Sequence, residues 1–171
     1  DRGEYSSVCF LDLSAAFDVV DHDLLLGKLE VYGFDENSVK WMGSYLKGRK
    51  QVVYVDGSLS SRLEIEAGVP QGSILGPLLY IIFTNDLPEI IHEHAPNPLS
   101  EPESSKFNGN CTICGTISCY ADDSTFSCAG KDSMEMSVFT SEKYLKMADY
   151  MTSNKLKLKG GVHIIYAHQR G

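Results

Sequence analysis

The order of its short apolar segments is the feature of this sequence that most constrains its fold. Residues 8–11 form an apolar run that predicts a buried strand ending at Asp12. The segments that follow switch between helical spacing and strand alternation. In chain order they are helices at 21–33 and 35–48, a hairpin at 51–67, a helix at 74–84, two strands at 117–128, a helix from 132 to about 150, and a strand pair at 155–158 and 162–166. This order predicts an α+β fold, with helices packed on one face of an antiparallel sheet.

This pattern also predicts the length of the hairpin connection and the position of an insertion. The hairpin turns around Asp56-Gly57-Ser58, and its connection is expected to be longer than two residues. Residues 88–116 contain several prolines, serines and asparagines and show little periodicity, which predicts a flexible surface insertion. The 171 residues suffice for one core, so we predict a single domain over 1–171 that carries this insertion.

The net charge and the cysteine content limit which functions are possible for this chain. The formal net charge of -8 has the wrong sign for binding nucleic acid, because affinity for a duplex comes largely from lysine and arginine side chains that contact phosphates. Either the chain does not bind nucleic acid, or the basic surfaces lie on other parts of a longer protein. No apolar run can span a bilayer, so no membrane partner is expected. Five cysteines, four of them within 111–128, favour a reducing intracellular compartment over a disulfide framework.

Three carboxylates occupy positions that suit metal chemistry. Asp12 lies at a predicted strand end, while Asp122 and Asp123 lie where the second predicted hairpin turns. Mg²⁺ prefers oxygen ligands, and a pair of metal ions about 4 Å apart needs a shared carboxylate. Aspartates in turns are also common for local hydrogen-bonding reasons. Taken alone, each of these positions is therefore better explained by structure than by catalysis.

The surrounding residues resemble a known family. Tyr120-Ala121-Asp122-Asp123 resembles the Tyr-x-Asp-Asp box of reverse transcriptases. The segment Phe10-Leu11-Asp12-Leu13-Ser14-Ala15-Ala16-Phe17-Asp18 resembles the first palm motif, and Gly68-Val69-Pro70-Gln71-Gly72-Ser73-Ile74-Leu75-Gly76-Pro77 resembles the second. The three motifs stand in the family's order, and residues 20–25 and 84–88 are typical of its non-LTR (LINE-like) branch. The chain is thus similar, over roughly 8–158, to the reverse transcriptase palm of a non-LTR retrotransposon.

This resemblance implies an RNA-directed DNA polymerase, a nucleotidyltransferase that works on a template by a two-metal mechanism. Asp12, Asp122 and Asp123 would be catalytic and would bind Mg²⁺ or Mn²⁺. The partners of the full-length parent would be an RNA template, a DNA primer and deoxynucleoside triphosphates, and its site of action would be nuclear, although no targeting signal is visible. The residues that would bind substrate are Leu13, Ser14, Ala15, Ala16, Phe17, Gln71 and Gly72.

The resemblance also implies a role for each substrate-binding residue. The main-chain N–H groups of residues 13–16 would face the triphosphate, and Phe17 would exclude a ribose 2′-hydroxyl. Gln71 would lie near the nascent base pair, and Gly72 would allow close approach of the backbone. Alternatives remain open for two of them: Phe17 as a core aromatic, and Gln71 as a cap on the helix that follows.

The sequence departs from the family at its fourth motif. Residues 154–158 begin this motif well, but Lys159-Gly160-Gly161-Val162-His163 replaces the expected ending. Val162 occupies the position of a lysine that is a candidate proton donor to pyrophosphate, so Lys159 or His163 becomes the candidate substitute. The resemblance also leads us to expect that the fingers and thumb lie largely outside this chain, and that this chain alone is inactive. The alternative function is a catalytically inactive retroelement remnant that acts as an interaction module; another palm enzyme, such as a nucleotide cyclase, explains fewer of the motifs.

A group of histidines and cysteines lies in the predicted insertion. His92, His94, Cys111 and Cys114 are a candidate zinc-ligand set, because Cys-x2-Cys is the spacing of a zinc knuckle. The second half of the site is irregular, which favours the alternative of free thiols and exposed histidines in a loop.

Overall fold

The computed structural model describes residues 4–89, 113–120, 123–160 and 163–168. Its contacts divide the chain into two compact units. The first, here called the sheet unit, comprises residues 1–14, 86–153 and 157–171, and the second, the helical unit, comprises residues 15–85 and 154–156. The expectation of a single domain over 1–171 stays a prediction.

The described elements follow the predicted order. The strands are β1 (Tyr5–Asp12), β2 (Lys50–Gln51), β3 (Tyr54–Val55), β4 (Ser58–Leu59), β5 (Leu63–Glu64), β6 (Ile113–Tyr120), β7 (Asp123–Gly130) and β8 (His163–His168). The helices are α1 (His22–Val31), α2 (Glu36–Leu46), α3 (Leu75–Thr84) and α4 (Ser133–Ser153).

The sheet unit is an antiparallel sheet in the order β6-β7-β1-β8, with α4 packed against β1 and β7. Alternate residues of β1 are buried, and they lie directly opposite buried residues of β7: Cys9 faces Phe126, for example. The buried side chains of α4 recur at helical spacing, at Met136, Thr140, Lys143, Met147 and Met151. Burial of these two faces against each other confirms the predicted α+β fold with an antiparallel sheet.

Helix caps and apolar side chains organise the helical unit. Asp21 caps α1 by accepting hydrogen bonds from the N–H groups of Asp23 and Leu24, and Asp35 caps α2 in the same way. Helix α1 packs against both α2 and α3, and its Leu25 and Leu29 are fully buried. The helices predicted at 21–33 and 35–48 therefore begin at these two residues, because an aspartate side chain satisfies the first N–H groups of the helix that it precedes.

The hairpin connection is shorter than predicted. Residues 50–64 pair in two steps, β2 with β5 and β3 with β4, and Asp56-Gly57 alone joins β3 to β4. Asp56 has a φ of 48° and Gly57 a φ of 82°. Positive φ at both central residues is the requirement of the two-residue type I′ turn, which Asp-Gly satisfies.

Strand β6 begins at Ile113, four positions before the expected start at Ile117, so the end of the predicted insertion belongs to the sheet. Gly115 lies inside this strand. A Cβ added at Gly115 would lie 3.0 Å from Cε2 of Phe126, so an aromatic ring from β7 covers the glycine. Residues 90–112, with His92, His94 and Cys111, lie outside the described residues, as does the side chain of Cys114.

The predicted strand pair of 155–158 with 162–166 is wrong. β8 pairs with β1 instead, with His163 opposite Phe10. Residues 157–159 also pair with the end of β1: the Ser14 N–H donates to the Lys157 carbonyl at 2.8 Å, and the Lys159 N–H donates to the Asp12 carbonyl at 2.7 Å. Because β7 occupies one edge of β1, strand β8 and residues 157–159 both form hydrogen bonds with the other edge.

Replacing Phe126 with alanine tests the core of the sheet unit. Phe126 is fully buried, so Phe126→Ala should lower the free energy of unfolding by about 3–5 kcal/mol. Phe10 is 44% exposed, and Phe10→Ala is the matched control with a clearly smaller effect. Urea denaturation followed by circular dichroism measures both; equal losses would contradict the described faces of the sheet.

The carboxyl of Asp21 provides a pH test. A hydrogen bond from Lys155, with others from main-chain N–H groups of α1, holds the pKa of Asp21 below its ordinary value. The resulting stability is present above the unfolded pKa of about 3.9 and is lost as pH falls through the folded pKa. Asp21→Ala should therefore cost about 1 kcal/mol at neutral pH, and the difference from wild type should shrink in acid.

Asp21→Asn separates the two contributions, because asparagine keeps the cap but not the charge that Lys155 contacts. Urea denaturation at several pH values measures these differences. A cost for Asp21→Ala that stays constant down to strongly acidic pH would contradict this account.

Candidate active site

Asp12 and Asp123 lie opposite each other at one end of the sheet. Asp12 is the last residue of β1, Asp123 is the first residue of β7, and the two are direct register partners. Opposed residues of an antiparallel pair direct their side chains to the same face, with Cβ atoms about 5 Å apart. Their neighbours Leu11 and Ser124 are buried on the opposite face, so both carboxylates lie on the face away from α4. Asp122 lies outside the described residues.

A cleft of about 420 Å³ opens beside these two carboxylates. The residues that line it are Phe10, Leu11, Asp12, Asp123, Ser124, Thr125, Lys159, Gly160 and His163. Lys159 and His163, the two candidate substitutes for the lysine missing at position 162, therefore both border the predicted catalytic carboxylates. Val162 itself lies outside the described residues.

Lys159 places a positive charge next to Asp12. Its Nζ lies 3.5 Å from Oδ2 of Asp12, and its own main-chain N–H is bonded to the Asp12 carbonyl. The side chains are 68% and 47% exposed, so solvent screens this ion pair and its contribution to stability is small. The contact shows that the Asp12 carboxylate is accessible to a cation.

The described residues fit a divalent metal ion in part. Two exposed carboxylates on one face supply the oxygen donors that Mg²⁺ and Mn²⁺ prefer. Among the residues that the structure describes, no three histidine, cysteine, aspartate or glutamate side chains come together as a metal site. The third predicted carboxylate, Asp122, immediately precedes Asp123 in the chain and is the residue that would complete the group.

The predicted triphosphate-binding segment begins in the sheet unit. Leu13 and Ser14 follow β1, and the Ser14 N–H is already engaged with the Lys157 carbonyl. That amide is already bonded within the fold, which contradicts the expectation that the Ser14 N–H faces a triphosphate. The side chain of Leu13 is buried.

The rest of this segment forms a tight turn in the helical unit. Ala15 has a φ of 50°, and its carbonyl accepts the N–H of Asp18 at 2.8 Å. The ring of Phe17 is half-buried and packs on Tyr80, with ring centroids 4.6 Å apart. Phe17 is therefore fixed on one side and accessible on another, unlike a fully buried core aromatic.

The loop at 68–72 is bound to the segment at 17–22. The N–H groups of Gly68 and Val69 donate to the carbonyls of Val20 and Phe17, each at 2.8 Å. His22 closes the contact, because its Nε2 lies 2.8 Å from the Gly68 carbonyl, which can only accept. No local pattern in the sequence predicts this contact of His22, since its partner lies 46 residues away.

Glycine is required in this loop for two different reasons. At Gly68 the φ is 93° and an added Cβ would lie 2.8 Å from the Asp18 carbonyl oxygen, so both conformation and space exclude a side chain. At Gly72 the φ is 76° but the space around an added Cβ is open. Gly72 is therefore required by its backbone conformation, and close approach to protein occurs at Gly68 instead.

Gln71 does not cap the following helix. Helix α3 has no side-chain cap at Ile74, and the Gly76 N–H within its first turn bonds to the Ser73 hydroxyl. The Gln71 amide instead donates from Nε2 to Oδ1 of Asp18 at 2.7 Å. The capping alternative left open by the sequence is thus wrong.

Known proteins resemble this chain in sequence and in fold. Residues 1–160 match the family described as reverse transcriptase (RNA-dependent DNA polymerase). The chain therefore belongs to the reverse transcriptase family, and within it this is a domain of the non-LTR retrotransposon type, as its motifs predict.

The relatives are proteins of mobile elements. The RNA-directed DNA polymerase from mobile element jockey of Drosophila funebris is 42% identical over 123 residues, which is 72% of this chain and 12% of that protein. The probable RNA-directed DNA polymerase from transposon BS of Drosophila melanogaster is 46% identical over 88 residues, 52% of this chain and 10% of that protein. The chain thus spans about a tenth of the length of these relatives.

A solved structure shares the fold. Apo telomerase from Candida tropicalis, truncated from its C-terminal domain, superposes with a TM-score of 0.57 over 98% of this chain and 31% of that chain, at 11% identity. At this identity the likeness shows the fold alone. Within the described ranges of this chain, no helix is both long enough and apolar enough to cross a membrane.

Cation binding by the 171-residue chain tests the carboxylate pair. Asp12→Asn should weaken Mn²⁺ binding on the order of tenfold, because one of two neighbouring negative charges is removed. Lys159→Met should strengthen it, because the competing ammonium beside Asp12 is gone. Electron paramagnetic resonance of free Mn²⁺ measures both, with Asp149→Asn, an exposed carboxylate on α4, as the control. Weaker binding by Lys159→Met would contradict the geometry.

Proposed function

We propose that this chain is the catalytic palm of an RNA-directed DNA polymerase from a non-LTR retrotransposon. The observation that carries this proposal is the register of β1 and β7, in which the aspartate of the first palm motif lies opposite the last aspartate of the Tyr-x-Asp-Asp box. Family membership supports the same reaction class: template-directed transfer of a nucleotide to a primer end.

Asp12, Asp122 and Asp123 are the residues that would hold divalent ions, Mg²⁺ or Mn²⁺. When bound, such ions lower the pKa of the primer hydroxyl and neutralise charge on the pyrophosphate leaving group. The carboxylates hold the reacting groups at the end of a rigid sheet, which is the kind of positioning that this chemistry requires. Lys159 and His163 are the groups in the same cleft that can carry a proton or positive charge toward the pyrophosphate.

Phe17 would select deoxynucleotides. Its contact with the buried ring of Tyr80 supports this role, because a ring backed by the core cannot retreat to admit a 2′-hydroxyl. Leu13, Ala15 and Ala16 would lie along the triphosphate, and Gln71 and Gly72 would lie near the base pair. These assignments follow from the family motifs.

The whole protein would use an RNA template, a DNA primer and deoxynucleoside triphosphates, and it would act in the nucleus. The chain spans about a tenth of its relatives and has a net charge of -8. Basic surfaces that bind phosphates would therefore lie in the rest of the polypeptide, and this chain alone is expected to be inactive.

One observation favours a second candidate function. Residues 159–163 depart from the family's fourth motif, which is expected of an element that has lost activity and persists as an interaction module. The two candidates differ in one measurable property, which is primer extension that depends on the acidic residues.

Asp122→Asn tests the proposed function in the full-length polypeptide that carries this chain. It should abolish primer extension on an RNA template at saturating Mg²⁺, because a metal-binding carboxylate is removed while the side-chain volume is kept. Asp149→Asn is the matched control and should extend normally. Near-normal extension by Asp122→Asn would sink the polymerase assignment, and absence of extension in the unmodified polypeptide would favour the remnant.

A further inference from the structure

The hydrogen bond between Asp18 and Gln71 has a chemical direction. Gln71 donates from Nε2 to Oδ1 of Asp18 at 2.7 Å, and the residues are 53 positions apart in the chain. An ionised carboxylate only accepts hydrogen bonds, so the amide must turn its nitrogen toward Asp18. The amide oxygen of Gln71 is therefore the acceptor that this side chain offers to a ligand.

Asp18 is held firmly enough to fix that orientation. Its N–H donates to the Ala15 carbonyl at 2.8 Å, and its own carbonyl oxygen would lie 2.8 Å from a Cβ added at Gly68. The main-chain bonds of Gly68 and Val69 to Val20 and Phe17 tie both segments together next to the pair. The backbone on both sides of the bond is thus constrained, which limits the freedom of the two exposed side chains.

The amide borders a cleft of about 560 Å³ in the helical unit, a volume within the range of ligand pockets. Its lining contains three carboxylates, those of Asp18, Glu64 and Glu66, and one guanidinium, that of Arg49. Lys50 contacts Glu64 at 3.2 Å, so the charge there is partly balanced. The excess of acceptors repels phosphate oxygens and suits a group that donates hydrogen bonds.

We propose that Asp18 is a positioning residue that holds the Gln71 amide so that its oxygen accepts a hydrogen bond from the base or sugar of a nucleotide. This inference rests on the proposed polymerase function. The donor would be an amino, imino or hydroxyl group, which both an incoming nucleotide and a template nucleotide carry. Asp18 acts through Gln71 and does not itself touch the nucleotide.

Primer extension by the full-length polypeptide tests the positioning role. Asp18→Ala should raise either the KM for deoxynucleotide or the Kd for primer–template by about 3- to 10-fold, as expected for loss of one hydrogen bond. The kcat should change by less than about twofold. A rise in KM alone identifies the incoming nucleotide as the donor, and a rise in Kd alone identifies the template.

Two comparisons separate positioning from a general structural effect. Asp18→Asn should restore wild-type values, because its amide oxygen can accept the same bond. Asp18→Ala combined with Gln71→Ala should be no worse than Gln71→Ala alone, because Asp18 acts only through Gln71. Asp149→Ala, which removes an exposed carboxylate from α4, is the control and should leave all constants unchanged. Additive effects, or an Asp18→Asn variant as impaired as Asp18→Ala, would overturn the proposal.

Nuclear magnetic resonance of the 171-residue chain supplies a readout that does not depend on activity. The side-chain amide protons of Gln71 should shift and exchange faster with solvent in Asp18→Ala, and not in Asp149→Ala. Unchanged resonances would overturn the bond itself. The experiments distinguish failure of the polymerase function from failure of the positioning role. Primer extension that survives Asp122→Asn overturns the polymerase function. Extension that is lost in Asp122→Asn but unaffected by Asp18→Ala overturns only the positioning role.

Discussion

The antiparallel pairing of β1 with β7 is the interaction on which the candidate active site depends. A slip of one residue would turn one carboxylate toward the face covered by α4, because strand side chains alternate between faces. The buried face prevents this slip. Ser7 bonds to Thr140 of α4 at 2.7 Å and lies 2.9 Å from the sulfur of Cys128, all three inside the core. A slipped register would take the buried Ser7 hydroxyl away from both of these partners, which is costly in a buried position. The core of the sheet unit therefore sets the position of Asp12 relative to Asp123.

The helical unit uses backbone contacts for a similar purpose. The side chain of Val69 is buried, and three bonds between the loop at 68–72 and residues 17–22 hold the loop, one of them from the buried ring of His22. The absence of a side chain at Gly68 allows the two segments to approach closely. The main chain that carries the exposed residues Asp18 and Gln71 is thus held by these bonds. A binding site needs such support when it must present a group in one orientation.

Local signals explain what could be predicted. The predicted helix starts at 21 and 35 are confirmed, because an N-cap depends only on the capping residue and the helix that follows it. Predictions from local patterns failed where a residue far away in the chain decided the structure. Gly115 lies within a strand because the Phe126 ring covers it. Residues 163–168 pair with β1 because an edge was available there. The Ser14 amide is occupied by Lys157, a residue that no pattern near Ser14 identifies.

The sequence by itself determined the order of most helices and strands and membership of the reverse transcriptase family, because residue spacing, propensity and motifs are properties of consecutive residues. Only the tertiary structure decided that Asp12 lies opposite Asp123, that Lys159 and His163 share their cleft, and that Gln71 turns its nitrogen to Asp18. These facts depend on segments far apart in the chain. Their register and contacts are selected by burial of a shared face and by satisfaction of polar groups, and neither can be read from one segment alone.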